Sequence, residues 1–167
     1  MTPLLLWRLC AAKYGPSAYS GEGAELYGGR WSPAGVAVAY CSESRALAVV
    51  EVLANADEAD RLFALPWVLV PAEVSAELVE CPDRFPTNWR QYPHPPATQV
   101  VGAEWARAQR SVGLRVPSAV VPGEFNYLLN PKHPQFSRVK VGRPEPFAFD
   151  PRLRPPSPLP AALRRPR

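Results

Sequence analysis

The chain has 167 residues, of which 47% are hydrophobic and 20% charged, a composition typical of one globular domain. Its formal net charge is +4, but the segment after Asp150 holds five arginines and no acid. Without those five, 14 basic residues stand against 15 acidic ones, so the body is not a polyanion-binding surface. We therefore predict one domain over residues 1–150 and a Pro/Arg-rich tail over residues 151–167, extended or disordered unless a partner orders it.

Cysteine usage and the N-terminal apolar run indicate the compartment. Cys10, Cys41 and Cys81 have no regular spacing and form no CxxC pair, which predicts a reducing, cytoplasmic setting. The apolar run at the N-terminus is interrupted by Arg8 after about five positions, which is too short for a signal sequence or a membrane span. We expect no contact with a membrane.

The first predicted element is a strand over residues 4–9, central because almost every position is apolar. Arg8 would then lie inside a buried element, or it would reach solvent from an edge strand, and the sequence leaves both open. Residues 13–32 are predicted to form a loop with many glycines. In that loop, Gly28 and Gly29 allow a sharp turn or a close approach to a ligand just before Arg30.

A strand over residues 36–40 follows, because β-branched and small residues alternate there. Ser42 or Ser44 then caps a helix. That helix is apolar nearly all round, which predicts that it is buried. Glu51 lies at the margin of its main apolar face, where a lone carboxylate is unusual.

The second half alternates short strands with one long helix and a proline-rich loop. The predicted elements are strands at 62–70 (interrupted by Pro66 and so placed at an edge or bulge), 76–80, 119–121 and 136–141, a loop at 82–97, and a helix at Thr98–Val112 that ends at Gly113. This mixture predicts the α+β class.

Metal and cysteine chemistry are poorly supported by the residues. The two histidines, His94 and His133, lie beside prolines in predicted loops, and no cluster has ligand spacing, so we expect no metal. Cys41 at a strand end is a conceivable nucleophile, but no histidine stands at a motif-like position.

Glu51 is the residue that the pattern singles out. Burying a carboxylate costs several kcal/mol unless it is paired or hydrogen-bonded. Arg30 or Arg8 would supply that partner in a plain structural salt bridge. A catalytic role for Glu51 is the alternative, and the residues alone leave both open.

Two separated stretches carry a family resemblance: GGRWSPAGVAVAYCSESRALAVVE at residues 28–51 and VPSAVVPGEFNYLLNPKHPQF at residues 116–136. Together they resemble the RES domain, the toxin of a bacterial type II toxin–antitoxin pair. The arginine, glutamate and serine of the family name fall on Arg30, Glu51 and Ser118. Ser32 stands where the family usually has asparagine, which we expect to affect loop geometry more than catalysis.

The resemblance implies a single domain similar to the ADP-ribosyltransferases, with short, mostly antiparallel strands and a few helices. It implies an enzyme that degrades NAD+ as its substrate, without a further cofactor, by cleaving the nicotinamide–ribose bond through hydrolysis or phosphorolysis. Glu51 would stabilise the cationic ribose. Arg30 would bind the pyrophosphate through paired bonds, and Tyr40 would offer its ring to the nicotinamide. The implied substrate-binding residues are Arg8, Arg30, Tyr40, Ser118 and Asn126.

Several alternatives remain at this point. Tyr40 and Asn126 also fit purely structural roles. A protein acceptor is one alternative, which would make the chain a mono-ADP-ribosyltransferase. A non-catalytic module that binds nucleic acid through the basic tail is a further alternative. The expected partner is a cognate Xre-like antitoxin that closes the pocket, and a homodimer is left open.

Overall fold

A computed structural model of the protein describes residues 3–56 and 59–154. It contains the strands β1 (Leu4–Ala11), β2 (Ala39–Ser42), β3 (Trp67–Val74), β4 (Val79–Glu80), β5 (Gly113–Pro117), β6 (Phe125–Leu129), β7 (Lys140–Val141) and β8 (Glu145–Phe147). The helices are α1 (Glu22–Tyr27), α2 (Arg45–Ala54), α3 (Ala59–Ala64) and α4 (Pro96–Ala108). Within these ranges, no helix is both long and apolar enough to cross a bilayer.

The described strands form one sheet in the order β4-β5-β6-β2-β1-β3-β7, with β8 also paired to β3. Only β4 and β5 are parallel, and the other pairs are antiparallel. The predicted α+β class with mostly antiparallel strands is confirmed. β1 pairs along its whole length with β3, from Leu4↔Val74 to Ala11↔Trp67, and also pairs with β2. Its central position, predicted from its apolar sequence, is therefore confirmed.

The pairing of β2, β6 and β5 brings distant parts of the chain together. Ser42 at the end of β2 lies opposite Asn126 in β6, and Asn126 lies opposite Val116 in β5. Directly opposite residues of antiparallel strands project to the same face. The ends of these three strands therefore present neighbouring side chains at one place on the sheet.

Helix α2 follows β2 almost at once. The Ser44 side chain accepts a hydrogen bond from the backbone N of Leu47 at 3.0 Å, so the predicted cap is confirmed. Only Leu47 and Ala48 are fully buried, while Val52 and its apolar neighbours are half-buried. The prediction of a buried helix is wrong, because α2 packs on the sheet through one side and its other side reaches the surface.

The prediction that residues 13–32 form only a loop is wrong. This segment contains a 3-10 turn (Ala12–Ser17) and the short helix α1. Glycines at both ends of α1 concealed it in the sequence, and Gly28 ends it with φ of 71°. The strand predicted at 36–40 begins only at Ala39. Residues 36–38 are apolar because they are buried in the core, although they lie outside the strand.

The largest correction concerns the run predicted as one strand at 62–70. Residues up to Ala64 belong to α3, which ends there because Pro66 disfavours a helical backbone at the residue before it, and β3 begins after Pro66. β3 is not an edge strand either, since it pairs with β1 on one side and with β7 and β8 on the other.

Boundaries differ again toward the C-terminus. α4 ends at Ala108 because Gln109 adopts a left-handed conformation, with φ of 49°, and Gly113 starts β5 instead of ending the helix. Residues 119–121 lie in the turn between β5 and β6, not in a strand. The last predicted strand, 136–141, is a 3-10 turn followed by β7, and β8 comes after it.

The predicted loop and tail have different outcomes. Residues 82–95 hold no helix or strand, as predicted, and α4 begins at Pro96. A 3-10 turn covers Pro151–Leu153. From residue 155 onward the predicted tail lies outside the described residues, so the domain boundary at 150 stays a prediction.

Candidate active site

One cleft of about 370 Å³ opens between α2, the ends of β1 and β2, and the turns on either side. Of the six residues predicted for the site, five line it and Ser118 does not. The lining residues that carry the argument below are Arg8, Arg30, Tyr40, Ser42, Glu51 and Asn126.

Glu51 extends from α2 toward the ends of β5 and β6. Its Oε1 accepts a hydrogen bond from Ser118 Oγ at 2.6 Å and another from Asn126 Nδ2 at 2.5 Å. Of the alternatives left open by the sequence, the structural salt bridge to Arg30 or Arg8 is not formed among the described residues, where uncharged donors hold the carboxylate. The Glu51 charge acts on Arg30 at longer range, where it opposes the lowering of the Arg30 pKa by burial.

Ser118 is buried and follows β5 directly. Its Oγ accepts hydrogen bonds from the backbone N of Val120 at 3.2 Å and of Val121 at 2.9 Å. A hydroxyl has two lone pairs and one hydrogen, so the hydrogen is left for Glu51. Ser118 therefore orients the carboxylate, whereas the sequence predicted a contact with the ligand.

Arg30 lines the cleft and donates hydrogen bonds to the proline-rich loop over residues 82–95. Its Nη1 donates to the carbonyl oxygens of Trp89 at 2.8 Å and Gln91 at 2.7 Å. Trp31 packs on Trp89 with ring centroids 6.3 Å apart. The Nε and Nη2 groups of Arg30 carry three further N–H donors, so the side chain can hold the loop and still bind an anion.

Tyr40 is fixed by its hydroxyl. The hydroxyl oxygen accepts from the backbone N of Trp31 at 3.0 Å and is hydrogen-bonded to Ser32 Oγ at 2.8 Å. Gly29 packs so closely that a Cβ there would lie 2.8 Å from this oxygen. Burial raises the pKa of Tyr40 to about 12, so the phenol is neutral near pH 7. Ser32, the departure from the family pattern, thus contacts a site residue through its side chain.

Arg8 enters the cleft from the central strand β1. Its Nη1 donates to the carbonyl oxygen of Tyr40 at 2.7 Å, which settles the choice left open by the sequence in favour of an internal position. The Arg8 Nε is buried and has no hydrogen-bond partner in the part of the chain that is described.

Cys41 lines the same cleft but is a poor nucleophile. Burial raises its pKa to about 12, which keeps the thiol protonated near pH 7. The histidines make local contacts, His94 with Gln99 at 3.2 Å and His133 with the carbonyl oxygen of Gln109 at 3.0 Å. Across residues 3–56 and 59–154, no group of three metal-binding side chains is assembled.

Helix α4 supports the Arg30 segment from outside the cleft. Thr98 Oγ1 donates to the carbonyl oxygen of Arg30 at 2.5 Å, and Gln99 Nε2 donates to that of Gly29 at 3.0 Å. The helix lies so near that a Cβ on Gly102 would be 1.7 Å from the carbonyl oxygen of Trp31. Only glycine permits this contact.

We expect Gly102→Ala to lower the free energy of unfolding by about 1 to 3 kcal/mol, because α4 must move away from Trp31. Gly23→Ala is the matched control, since Gly23 is also helical and a Cβ there meets nothing within 4 Å. That control should stabilise the protein by about 0.5 to 1 kcal/mol. Thermal unfolding of both variants measures the difference, and equal melting temperatures would contradict the close packing.

Sequence reasoning missed one polar residue of the site. Ser42 Oγ donates to Asn126 Oδ1 at 2.7 Å, and Ser42 is buried. The sequence presented Ser42 only as a possible helix cap. Its partner is 84 positions away, so only the pairing of β2 with β6 discloses the contact.

The mostly antiparallel sheet carries a cleft in which two uncharged donors hold a carboxylate. Two arginines and a tyrosine that is fixed by its hydroxyl line the same cleft. Such a cleft suits a ligand that carries both anionic groups and a cationic ring.

Comparison with known proteins identifies the family to which the chain belongs. The RES domain family model matches residues 5–150. A protein of Yersinia enterocolitica (serotype O:8 / biotype 1B) named Toxin Res is 40% identical over 152 residues, covering 90% of this chain and 100% of the relative. The Prs ADP-ribosylating toxin of Sphingobium sp. (strain YBL2) is 36% identical over 152 residues, covering 88% of this chain and 94% of the relative. The chain belongs to the RES domain family.

A solved structure has the same fold. A chain in the crystal structure of the M. tuberculosis MbcT-MbcA toxin-antitoxin complex superposes with a TM-score of 0.71 at 20% identity. The match covers 87% of this chain and 85% of that one.

Proposed function

We propose that this chain is a toxin enzyme that degrades NAD+ by cleaving the bond between nicotinamide and ribose. The observation that carries the proposal is the Glu51 carboxylate, held at Oε1 by Ser118 and Asn126 inside the cleft. The toxin names of the relatives support it, and one of them is described as ADP-ribosylating.

The reaction requires stabilisation of positive charge at the ribose. When the C1′–N bond breaks, its electron pair leaves with the nicotinamide nitrogen and neutralises the ring, while C1′ acquires oxocarbenium character. Glu51 Oε2, the oxygen that is not engaged with Ser118 and Asn126, is the group that faces this charge. Water then adds to C1′ and loses a proton, giving ADP-ribose, nicotinamide and H+. With phosphate as the acceptor, the product is ADP-ribose-1″-phosphate.

Three further residues of the cleft bind NAD+ in this proposal, namely Arg30, Arg8 and Tyr40. The free N–H groups of Arg30 suit the pyrophosphate, and Arg8, which lines the same cleft, adds a second positive charge. Tyr40 is held by its hydroxyl, which leaves its ring for contact with the cationic nicotinamide, worth about 0.5 to 2 kcal/mol.

Nicotinamide release from NAD+ by the purified protein is the direct test. We expect release by the wild-type protein, and a comparison with and without added phosphate identifies the acceptor from the second product. If the wild-type protein releases no nicotinamide, the proposal is wrong.

A protein acceptor is the second candidate, favoured by the name of the Sphingobium relative. Both reactions break the same bond and differ only in what attacks C1′. NAD+ labelled in its adenine half separates them, because a transferase leaves the label on a protein band and hydrolysis leaves it in small products.

We also propose a cognate Xre-like antitoxin as the partner, which covers the cleft and so blocks NAD+. Support comes from the fold shared with a chain of a toxin-antitoxin complex. A complex in which the cleft stays open to solvent would contradict this proposal.

A further inference from the structure

We infer that Ser42 is a positioning residue that aligns Glu51 by holding the side chain of Asn126. The inference rests on the proposed function, because its consequence is a change in the cleavage step. It rests structurally on a chain of three hydrogen bonds, from Ser42 to Asn126, from Asn126 to Glu51, and from Ser118 to Glu51.

The backbone fixes the first link. Ser42 and Asn126 are directly opposite in the antiparallel pair β2–β6, so their side chains share one face of the sheet. The Ser42 hydroxyl lies 2.7 Å from Asn126 Oδ1, and Ser42 is only 3% exposed. Water therefore has little access to take the place of this hydroxyl.

The chemistry of each group fixes the direction of the hydrogen bonds. A carboxylate only accepts, so Asn126 must turn its NH2 group toward Glu51 and its carbonyl oxygen toward Ser42. Ser42 then satisfies that oxygen by donating its single hydrogen. Without Ser42, the carbonyl oxygen of the half-buried Asn126 side chain lacks its donor, so the amide is no longer held in the orientation that turns its NH2 group toward Glu51.

The chain of bonds determines which oxygen of Glu51 is available. Both Asn126 and Ser118 donate to Oε1, which places Oε2 as the oxygen for the substrate. Ser118 is itself locked by the backbone N–H groups of Val120 and Val121, whereas Asn126 depends on Ser42. Of the two donors to Glu51 Oε1, Asn126 is therefore the less constrained, and Ser42 is the residue that holds it.

The test compares nicotinamide release from NAD+ by the wild-type chain, Ser42→Ala, Asn126→Ala and the double variant. We expect Ser42→Ala to lower kcat about tenfold, with KM within about twofold of wild type. In the Asn126→Ala background, Ser42→Ala should cause no further loss, because its only route to Glu51 is gone. Ser42→Thr keeps the hydroxyl and should restore kcat to within about threefold of wild type.

A control variant, a replacement variant and a spectroscopic measurement complete the test. Ser137→Ala is the same substitution at an exposed position and should change neither kinetic constant. If Ser42→Ala does not fold, Ser42→Cys, whose thiol is a weak donor, takes its place in the same comparison. The NMR signals of the Asn126 side-chain NH2 group, assigned through Asn126→Ala, should shift in Ser42→Ala without any substrate.

The inference and the proposed function fail in different ways. A wild-type chain that releases no nicotinamide overturns the function, while the Asn126 signals still test the link to Ser42. If wild type is active, the inference is overturned by unchanged kcat in Ser42→Ala, by an undiminished loss in the Asn126→Ala background, or by a raised KM, which would make Ser42 a direct substrate contact.

Discussion

Glu51→Gln is expected to lower kcat for nicotinamide release by about 100- to 1,000-fold while KM changes little. The glutamine carbonyl oxygen can still accept from Ser118 and Asn126, so the side chain keeps its place. Its NH2 group then replaces Oε2 and cannot stabilise a cationic ribose. Steady-state kinetics measure the loss, and thermal unfolding shows whether the fold is retained.

The matched control is Glu104→Gln, the same substitution at an exposed position of helix α4. It should keep both kinetic constants of wild type. Activity of Glu51→Gln within about threefold of wild type would remove Glu51 from the mechanism, whatever the other residues of the cleft do.

Arg30→Lys should raise KM for NAD+ about 10- to 100-fold, because two functions of the side chain are lost together. The guanidinium bonds the carbonyl oxygens of Trp89 and Gln91 through one nitrogen and has other N–H groups for a pyrophosphate. The ammonium group of lysine has one nitrogen and cannot do both. A large effect of a substitution that conserves charge would therefore come from geometry.

Limited proteolysis reports on the loop independently of activity. Trypsin can cut after Arg84 and Arg90, and the loop that contains them should be cut faster when its bonds to Arg30 are lost. Arg107→Lys, an exposed change on α4, serves as the control and should leave both KM and the digestion rate unchanged. Unaltered digestion of Arg30→Lys would show that the loop does not depend on this clamp.

The sequence predicted those elements whose signal is local. A nearly continuous apolar run predicted the central strand β1, and serines before a helical pattern predicted that α2 starts at Ser42 or Ser44, of which Ser44 is the cap. Elements determined by distant contacts were missed. β6 is a central strand although its sequence contains Asn126 and is flanked by turn residues, because β2 and β5 pair with it on both sides.

The candidate site shows the same division. A carboxylate in an apolar helix predicted that Glu51 needs a partner, but periodicity carries no information about which residue it is. In the structure the partners of Glu51 are Ser118 and Asn126, both outside the helix, whereas Arg30 donates a hydrogen bond to the proline-rich loop. The residues of the cleft came from the family resemblance, and their roles in a reaction stay predictions until the kinetics above are measured.

The long separation of the Glu51 donors along the chain has a consequence for synthesis. Ser118 and Asn126 lie 67 and 75 positions after Glu51, directly after β5 and within β6. Pairing between distant segments must wait until both have been synthesised. A growing chain on the ribosome therefore has Glu51 without its supports until synthesis has passed residue 126. The site that we propose for NAD+ cleavage is therefore assembled only after residue 126 has been added, and not while the first half of the domain is being made.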